Sequence, residues 1–429
     1  MGRLSFRVCC NRASRFLASA FLSSLIPVSS SFAGGSFIVT IEGLNPGGTA
    51  QTSEDTFLVT GEVNGFPVVY FVTRDGTGTI TTAMQLFPGL PGGSGFGAVA
   101  DVTSDGTVFG GRSDSPSAPN PTAQEATVWD QLANPQGLGL GAGATDSGVS
   151  SISENGIAVG KAGAGGAVMS LSNGVIDLTG TSGGAAGDIS DDGMIIGGTI
   201  GSVPVLWKAT VVGLQYTPIY AEIPPDGVAA GVIRGVSPSG DRVGGEFFSL
   251  NELDYVGAIW DSTGLLVHRF GVGHIKAVSD GVVGYNSLVT GISRAYIYYS
   301  DWSEPLLLEE HLANLGLDLP AAGISVINDT IRIKHGLNNG LLLVGRATTL
   351  GAYTVAFLAY LSCEPGAKAD CNGDLAVDLL DHDTTCLTGP RPGTHCLGLP
   401  TTCRCLDFDQ DGNVDLRDWA RFQIEFGSE

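Results

Sequence analysis

The stretch Val102-Thr-Ser-Asp-Gly-Thr-Val-Phe-Gly110 is one copy of a pattern that recurs through most of the chain. The pattern begins with an apolar residue, continues with a short polar turn that ends in Gly, and closes with an apolar pair and a further Gly. Other copies occupy residues 152–160, 189–197, 236–244, 278–284 and 337–345, and residues 54–61 form a degenerate first copy. Asp-Gly and Asn-Gly are strong formers of tight turns, so each copy predicts a β-hairpin.

The spacing of these copies predicts a closed ring of sheets. Their final glycines are separated by 49, 50, 37, 47, 40 and 61 residues, and the mean near 47 is typical of one propeller blade. Seven such units over residues 37–361 predict an all-β, seven-bladed β-propeller, with six or eight blades as the alternatives. Ring closure commonly joins the first strand to the last, so we expect residues 37–41 to pair with residues 353–361.

An aromatic residue often ends the strand that follows the closing Gly. These positions are Tyr70, Trp129, Trp207, Trp260, Tyr298 and Phe357. We interpret them as anchors of the blade cores. The alternative is that they stack on sugars.

The repeats resemble secreted extracellular repeats of the HAF type, most clearly in residues 173–178 and the following residues 183–197. The resemblance extends over most of residues 50–360. It implies a secreted repeat protein, and it brings no catalytic residues with it.

Residues 407–418 contain the clearest metal-binding pattern of the chain. In this loop, oxygen ligands occupy positions 1, 3, 5, 9 and 12, position 7 offers a backbone carbonyl, and Gly412 at position 6 permits a sharp turn. Ca²⁺ takes about six to eight oxygen ligands, which this spacing gathers around one point. The candidate ligands are Asp407, Asp409, Asp411, Asn413, Asp415 and Asp418.

A second candidate calcium loop, residues 370–381, is less regular. Its candidate ligands are Asp370, Asn372, Asp374, Ala376, Asp378 and Asp381. Leu375 stands at position 6, where Gly is usual, so the turn must be reshaped and this site is expected to be the weaker one.

Both loops end on Asp at position 12, and together they resemble a dockerin module, a calcium-binding unit related to the EF-hand. The resemblance covers residues 363–429. It implies a small α-helical module with two Ca²⁺ sites that docks onto a cohesin-like or other surface protein. Positions 10 and 11 are Leu379-Leu380 and Leu416-Arg417 instead of the polar pair used by the family, so the docking partner stays open.

The same C-terminal region holds six cysteines. They are Cys363, Cys371, Cys386, Cys396, Cys403 and Cys405. An even number in a small exported domain predicts disulfides, and about 15 pairings are open. A zinc site that uses the nearby His382 and His395 is the alternative.

The N-terminus predicts export. Four arginines precede an apolar stretch at residues 16–28, and Ser31-Phe32-Ala33 fits a signal-peptidase site, so residues 1–33 are predicted to be a signal peptide. The alternative, a membrane anchor, needs about 20 apolar residues, which this stretch does not have. We therefore expect an extracellular protein, in part associated with a cell surface, that does not insert into the membrane.

Charge and motifs narrow the function. The formal net charge is −22 at pH 7, and −26 without residues 1–33. Such a chain repels phosphates, which argues against nucleic acid as a partner. The sequence lacks the His-Glu-x-x-His, Gly-x-Ser-x-Gly and Walker motifs. Isolated histidines, interpreted as surface or strand residues, are His268, His274, His311 and His335.

These patterns predict a secreted, non-catalytic binding protein. Its propeller presents a ligand face, for which a glycan is one candidate, and its calcium module mediates attachment. The alternative is a dockerin-tethered polysaccharide hydrolase or lyase, because a propeller can bring two carboxylates together across its blades.

Overall fold

The computed structural model describes residues 30–33, 36–115, 123–170, 173–178, 183–210, 215–289, 292–300, 304–337 and 340–362. Both predicted calcium loops, the six cysteines of residues 363–429 and most of the predicted signal peptide lie outside these residues. The described part consists of β-strands and one α-helix, α1 (Leu308–Asn314). No helix in it is long and apolar enough to cross a bilayer.

The strands form seven antiparallel sheets, which are the seven blades of a β-propeller. The chain begins with β1 (Ser30–Ala33) and β2 (Ser36–Ile41), which belong to the last blade. Blade 1 consists of β3 (Asn45–Ser53), β4 (Thr56–Val63), β5 (Phe66–Arg74) and β6 (Ile80–Leu86). Blade 2 consists of β7 (Gly97–Val102), β8 (Val108–Asp114), β9 (Gln124–Asp130) and β10 (Pro135–Gly139). Blade 3 consists of β11 (Ser147–Ile152), β12 (Ala158–Ala162), β13 (Gly165–Ser170) and β14 (Gly174–Asp177).

The later blades repeat this order. Blade 4 consists of β15 (Ala185–Ile189), β16 (Ile195–Ile200), β17 (Val203–Ala209) and β18 (Tyr216–Tyr220). Blade 5 consists of β19 (Gly227–Val236), β20 (Arg242–Ser249), β21 (Asp254–Asp261) and β22 (Leu266–Val272). Blade 6 consists of β23 (His274–Ser279), β24 (Val282–Val289), β25 (Ile292–Tyr299) and β26 (Leu306–Leu307). Blade 7 contains β27 (Ile324–His335), β28 (Leu341–Thr349) and β29 (Thr354–Leu361) together with β2 and β1.

Blade 7 closes the ring by pairing the two ends of the propeller. Strand β2 lies antiparallel to β29, with Phe37 opposite Tyr360 and Ile41 opposite Ala356. This pairing confirms the predicted contact between residues 37–41 and 353–361. Strand β1 adds a fifth strand at the outer edge. The predicted cleavage after Ala33 would remove β1 and leave blade 7 with four strands, like the other blades.

Each repeated pattern forms the turn between the first and second strands of a blade. In blade 4 the turn follows β15, and Gly193 adopts φ 75°, a left-handed conformation that suits glycine. Asp192 accepts hydrogen bonds from Met194 N at 2.8 Å and from Ser190 Oγ at 2.7 Å. The acids of these turns therefore cap backbone and hydroxyl groups, as their sequence context predicts.

An apolar layer fills the space between neighbouring blades. Between blades 7 and 1, Phe57 lies 4.9 Å from both Phe37 and Tyr360, measured between ring centroids. Burial of one such side chain contributes about 1.5–3 kcal/mol. The six aromatic residues predicted as blade anchors are at most 8% exposed, so this interpretation is confirmed and sugar stacking by these six is wrong. In blade 3 the corresponding position is the buried Met169.

In four copies of the pattern, the closing glycine lets adjacent blades approach each other: Gly110, Gly197, Gly244 and Gly284. A Cβ atom on Gly244 of β20 would lie 2.5 Å from Val278 Cγ2 and 2.6 Å from Ile275 Cγ2 of blade 6. No side chain fits at that distance, so glycine is required there for blade packing.

We expect Gly244→Ala to destabilise the propeller by about 1–3 kcal/mol, because the added methyl group overpacks the interface between blades 5 and 6. Urea unfolding of the full chain measures the change. Gly76→Ala is the matched control, since a Cβ at Gly76 meets no atom within 4 Å. Equal unfolding midpoints for the two variants would show that this glycine is not a packing requirement.

Candidate functional site

The ring gives the propeller two different ends. The first strand of each blade lines the axis, and these inner strands all begin at one end, the mouth face, and finish at the other, the turn face, where the repeated turns lie. In blade 7, β28 starts at the turn face and β29 runs antiparallel to it, so β29 finishes at the turn face. Strand β2 is antiparallel to β29 and therefore starts at this face. The described propeller is therefore entered and left at the turn face.

A cavity of about 920 Å³ opens at the mouth face. This volume is at the upper end of the range for ligand sites, about 300–1,000 Å³. Six basic and three acidic residues are among those that line it. We call the basic set the basic mouth: Arg112, Lys161, Arg234, Lys276, Arg332 and Arg346. The acids are Glu62, Asp146 and Asp329. The excess of cations is opposite in sign to the whole chain, which has 43 Asp and Glu against 21 Lys and Arg.

Two of these cations point to solvent without an acidic partner. Arg112 on β8 and Lys161 on β12 are exposed, and neither forms an ion pair within the described residues. Their strands occupy the same position in successive blades: Arg112 lies opposite Ala98, and Lys161 lies opposite Gly148. The two charges are thus available to a ligand.

On the other side of the mouth, the positive charges of Arg234 and Lys276 lie close to each other. Burial and the nearby Arg234 lower the pKa of the Lys276 amine, and Glu246 and Asp329 offset this only in part. Arg234 itself donates to both carboxylate oxygens of Glu246, at 3.0 Å from Nε. An anion at the mouth would reduce the repulsion that Lys276 experiences.

The mouth carboxylates have polar neighbours of their own. Asp329 accepts a hydrogen bond from Arg346 N at 3.0 Å and lies 4.0 Å from Arg346 Nε. Burial raises the pKa of Asp329, against the effect of Arg346. Glu62 accepts from Asn45 Nδ2 at 3.1 Å.

Deeper along the axis, four charged side chains form a group that we call the axial plug: Asp101, Asp188, Arg332 and Lys334. Arg332 Nη1 donates to Asp188 Oδ1 at 2.9 Å, and Nη2 donates to Ser150 O at 2.8 Å. Lys334 Nζ lies 3.3 Å from Asp101 Oδ1. The plug is neutral overall and joins blades 2, 4 and 7 directly.

The plug also contacts blades 3 and 5. Asp101 Oδ2 accepts hydrogen bonds from Ser151 Oγ at 2.8 Å and Ile152 N at 3.2 Å. Asp188 Oδ2 accepts from Val236 N at 2.8 Å. Burial raises the pKa of Asp101, but Lys334, Arg332 and the hydrogen bonds to this carboxylate together outweigh burial and leave its pKa below the ordinary value. Through these ion pairs and hydrogen bonds, Asp101 and Asp188 crosslink the blades.

The turn face presents carboxylates around the axis. The side chain of Asp191 reaches solvent, yet the surrounding protein and the neighbouring Glu154 raise its pKa to about 6. Glu154 accepts hydrogen bonds from Ser104 N at 2.8 Å and Ser104 Oγ at 2.8 Å, which links blades 3 and 2. Asp280 accepts from Ser239 Oγ at 2.7 Å, which links blades 6 and 5.

The twelve predicted calcium ligands all belong to residues 363–429, outside the described part of the chain. Within the described part, no group of three or more His, Cys, Asp or Glu residues is arranged to hold a metal ion. Of the four isolated histidines, His268, His274 and His335 lie on strands, as expected. His311 departs from the expectation: it lies in α1, is buried, and contacts Tyr299 Oη at 3.1 Å through Nε2.

Sequence reasoning missed the basic mouth, although a signal for it exists. Three basic residues that line the mouth follow the closing glycine of a repeat: Lys161 and Arg346 directly, and Arg112 after one further glycine, Gly111. The axial plug has a weaker signal. Asp101 and Asp188 each precede the apolar residue that starts a copy of the repeat, so a charge interrupts an otherwise apolar strand.

Comparison with known proteins gives structural similarity only. Neither a protein-family profile nor a curated protein sequence matches the chain significantly. A putative TolB from Agrobacterium tumefaciens is 15% identical, covers 64% of this chain and 99% of its own, and has a TM-score of 0.36. The β-propeller domain of the Trilobed protease from Pyrococcus furiosus is 9% identical over 78% of this chain and 93% of its own, with a TM-score of 0.39. The polysaccharide lyase Uly1 is 10% identical over 75% of this chain and 91% of its own, with a TM-score of 0.40. The strand pairing described above establishes the propeller.

We expect Arg332→Met to destabilise the full chain by about 3–5 kcal/mol, because it leaves Asp101 and Asp188 buried without the cation they share. Urea unfolding gives the free energy. Arg242→Met is the control: this arginine is exposed on β20, and its loss should change stability by no more than about 0.5 kcal/mol. Similar midpoints for both variants would show that the axial plug does not hold the blades together.

Proposed function

We propose that this protein is a secreted, non-catalytic binding protein that holds an anionic ligand in the basic mouth. The observation that supports this proposal most directly is that six cations and only three carboxylates line one cavity of a strongly acidic chain. Surface cations of an acidic protein are usually distributed among acids. Half of the twelve Lys and Arg residues of residues 34–362 instead line this cavity.

The electrostatics of the mouth favour a ligand that brings negative charge. Arg112 and Lys161 have hydrogen-bond donors free for a carboxylate, sulfate or phosphate, and each such charge-assisted bond contributes about 1.5–3 kcal/mol. Low-dielectric walls focus the field of the cations into the cavity, while the acidic outer surface repels anions elsewhere. Binding is therefore directed to the mouth.

The proposed attachment module follows the propeller at the opposite end. Strand β29 finishes at the turn face, and the predicted calcium module, residues 363–429, continues from there. Attachment to a cohesin-like or other surface protein through this segment leaves the mouth face free. The ligand thus binds at one end of the propeller, and the protein is attached to its partner at the other end.

The proposed calcium requirement rests on the charge of the C-terminal segment. Residues 363–429 carry 13 Asp or Glu against five Lys or Arg, and most of the acids fall in the two loops. Without a cation these carboxylates repel one another, and a segment of this size has a marginal core. Metal binding is therefore coupled to folding of the module.

The charge reversal Arg112→Glu with Lys161→Glu should abolish binding to anionic polymers, because it turns two exposed mouth cations that form no ion pair within the described residues into repulsive acids. Retention of the full chain on carboxylated, sulfated and phosphorylated resins, at low and high salt, measures this. Lys208→Glu, which changes an exposed lysine of β17 outside the cavity lining, should leave retention unchanged. Failure of the unaltered chain to bind any of the resins would refute the proposal, and release of sugar fragments from a glycan resin would support the enzyme alternative.

Calcium should bind the full chain with an affinity on the order of 10⁻⁴–10⁻⁶ M, as is usual outside a cytosolic sensor. Asp407→Ala should abolish the stronger site, because it removes the ligand at position 1. Asp370→Ala should have the smaller effect, since Leu375 already weakens that loop. Titration calorimetry with and without prior chelation measures both sites. If no heat of calcium binding is seen for the oxidised full chain, the calcium module is wrong.

A further inference from the structure

Two exposed phenylalanines lie beside the basic mouth. Phe66 begins β5, and Phe96 directly precedes β7. Their rings stack at a centroid distance of 4.9 Å with an interplanar angle of 21°. They are 39% and 49% exposed, whereas the aromatic anchors of the blades are buried. A stacked aromatic pair kept at the surface marks a contact site.

The backbone fixes this pair at the rim of the cavity. Gly97 N donates to Gly65 O at 2.8 Å, which holds the two segments together across blades 1 and 2. A Cβ on Gly65 would lie 2.9 Å from the ring of Phe96, so this ring packs closely over the turn. Glu62 and Ala98, on either side of the pair in sequence, both line the cavity.

Arg112 connects the aromatic pair to the cations. In the register of blade 2 it stands opposite Ala98, only two residues after Phe96. Asp114 N, two residues further along the same strand, donates to Phe96 O at 2.9 Å. The paired strands β7 and β8 thus place Arg112 close in register to Phe96, whose ring stacks on Phe66 of blade 1, and Lys161 follows in the next blade.

We infer that the anionic ligand of the proposed function is a glycan that contains uronic acids. Each uronate unit combines a flat C–H-rich ring face, which suits the phenylalanine pair, with a carboxylate, which suits Arg112 and Lys161. Arg112 and Lys161 belong to successive blades, so each can pair with the carboxylate of a different sugar. This inference rests on the proposed function and specifies its ligand.

Other polyanions match the surface less well. An acidic peptide supplies carboxylates but no flat apolar ring beside each of them. Double-stranded DNA has its bases stacked inside the helix and carries about one negative charge per 1.7 Å of axis, so a chain with a net charge of −22 repels it strongly. A uronide is a single chain with one charge per sugar, and the faces of its rings are exposed for stacking.

The test uses the full chain and a matched pair of ligands: a (1→4)-linked hexagalacturonate and the same oligomer with its carboxyl groups reduced to alcohols. Titration calorimetry should show binding of the hexagalacturonate and at least roughly tenfold weaker binding of the reduced oligomer. Phe66→Ala should weaken binding of the uronide about tenfold, as the loss of one stacking contact does in other sites. Leu132→Ala, which shortens a 75% exposed side chain on the turn face, should leave binding unchanged.

Two further ligands separate this inference from the proposed function. Equal affinity for hexaglutamate and for the uronide, or binding of polyphosphate alone, would overturn the glycan assignment and retain an anion-binding mouth. If none of these anions binds, both proposals fail. Loss of uronide binding on Arg112→Gln but not on Phe66→Ala would also overturn the assignment, because charge alone would then explain the affinity.

Discussion

The antiparallel pairing of β2 with β29 is the contact on which the whole ring depends. It joins the first and last strands of the propeller, and the described ring contains no cysteine that could close it covalently. Without this pairing, the apolar layer of Phe37, Phe57 and Tyr360 between blades 7 and 1 would face water. The cost of bringing such distant segments together is repaid only when all seven blades pack, so closure and stability are cooperative.

Ring closure also determines which inward-pointing side chains can be charged. The inner strands meet around a narrow axis, and any polar side chain that points inward must find a partner there. Asp101, Asp188, Arg332 and Lys334 satisfy one another in the axial plug. Arg332 lies between the plug and the mouth cavity and lines both. Arg112 and Lys161 lie on second strands, farther from the axis, and neither forms an ion pair within the part of the chain that the structure describes.

The repeat pattern predicted the blades because its turn chemistry is local. Asp-Gly and Asn-Gly strongly favour tight turns, so the hairpin positions followed from the pattern, and its spacing favoured seven blades over six or eight. The closing pairing followed from the usual joining of first and last strands in a ring. The buried aromatic anchors were also predictable, since six of the seven repeats have one. The axial plug was not, because Asp101 and Arg332 are more than 200 residues apart and meet only after closure. Phe66 and Phe96 were missed for the same reason: neither occupies a repeated position, and their stacking is a contact between two blades.

The two ends of the propeller are suited to different tasks. Both ends of the described ring lie at the turn face, where Glu154, Asp191 and Asp280 surround the axis with negative charge. Strand β1 ends at this face, with Ala33 opposite Ser36, and the predicted cleavage after Ala33 would leave β2 as the outer edge strand of blade 7. Residues 363–429, where the calcium module is predicted, follow β29 in the chain. Both chain connections of the propeller therefore lie at the end opposite the basic mouth, which is the arrangement that the proposed function requires.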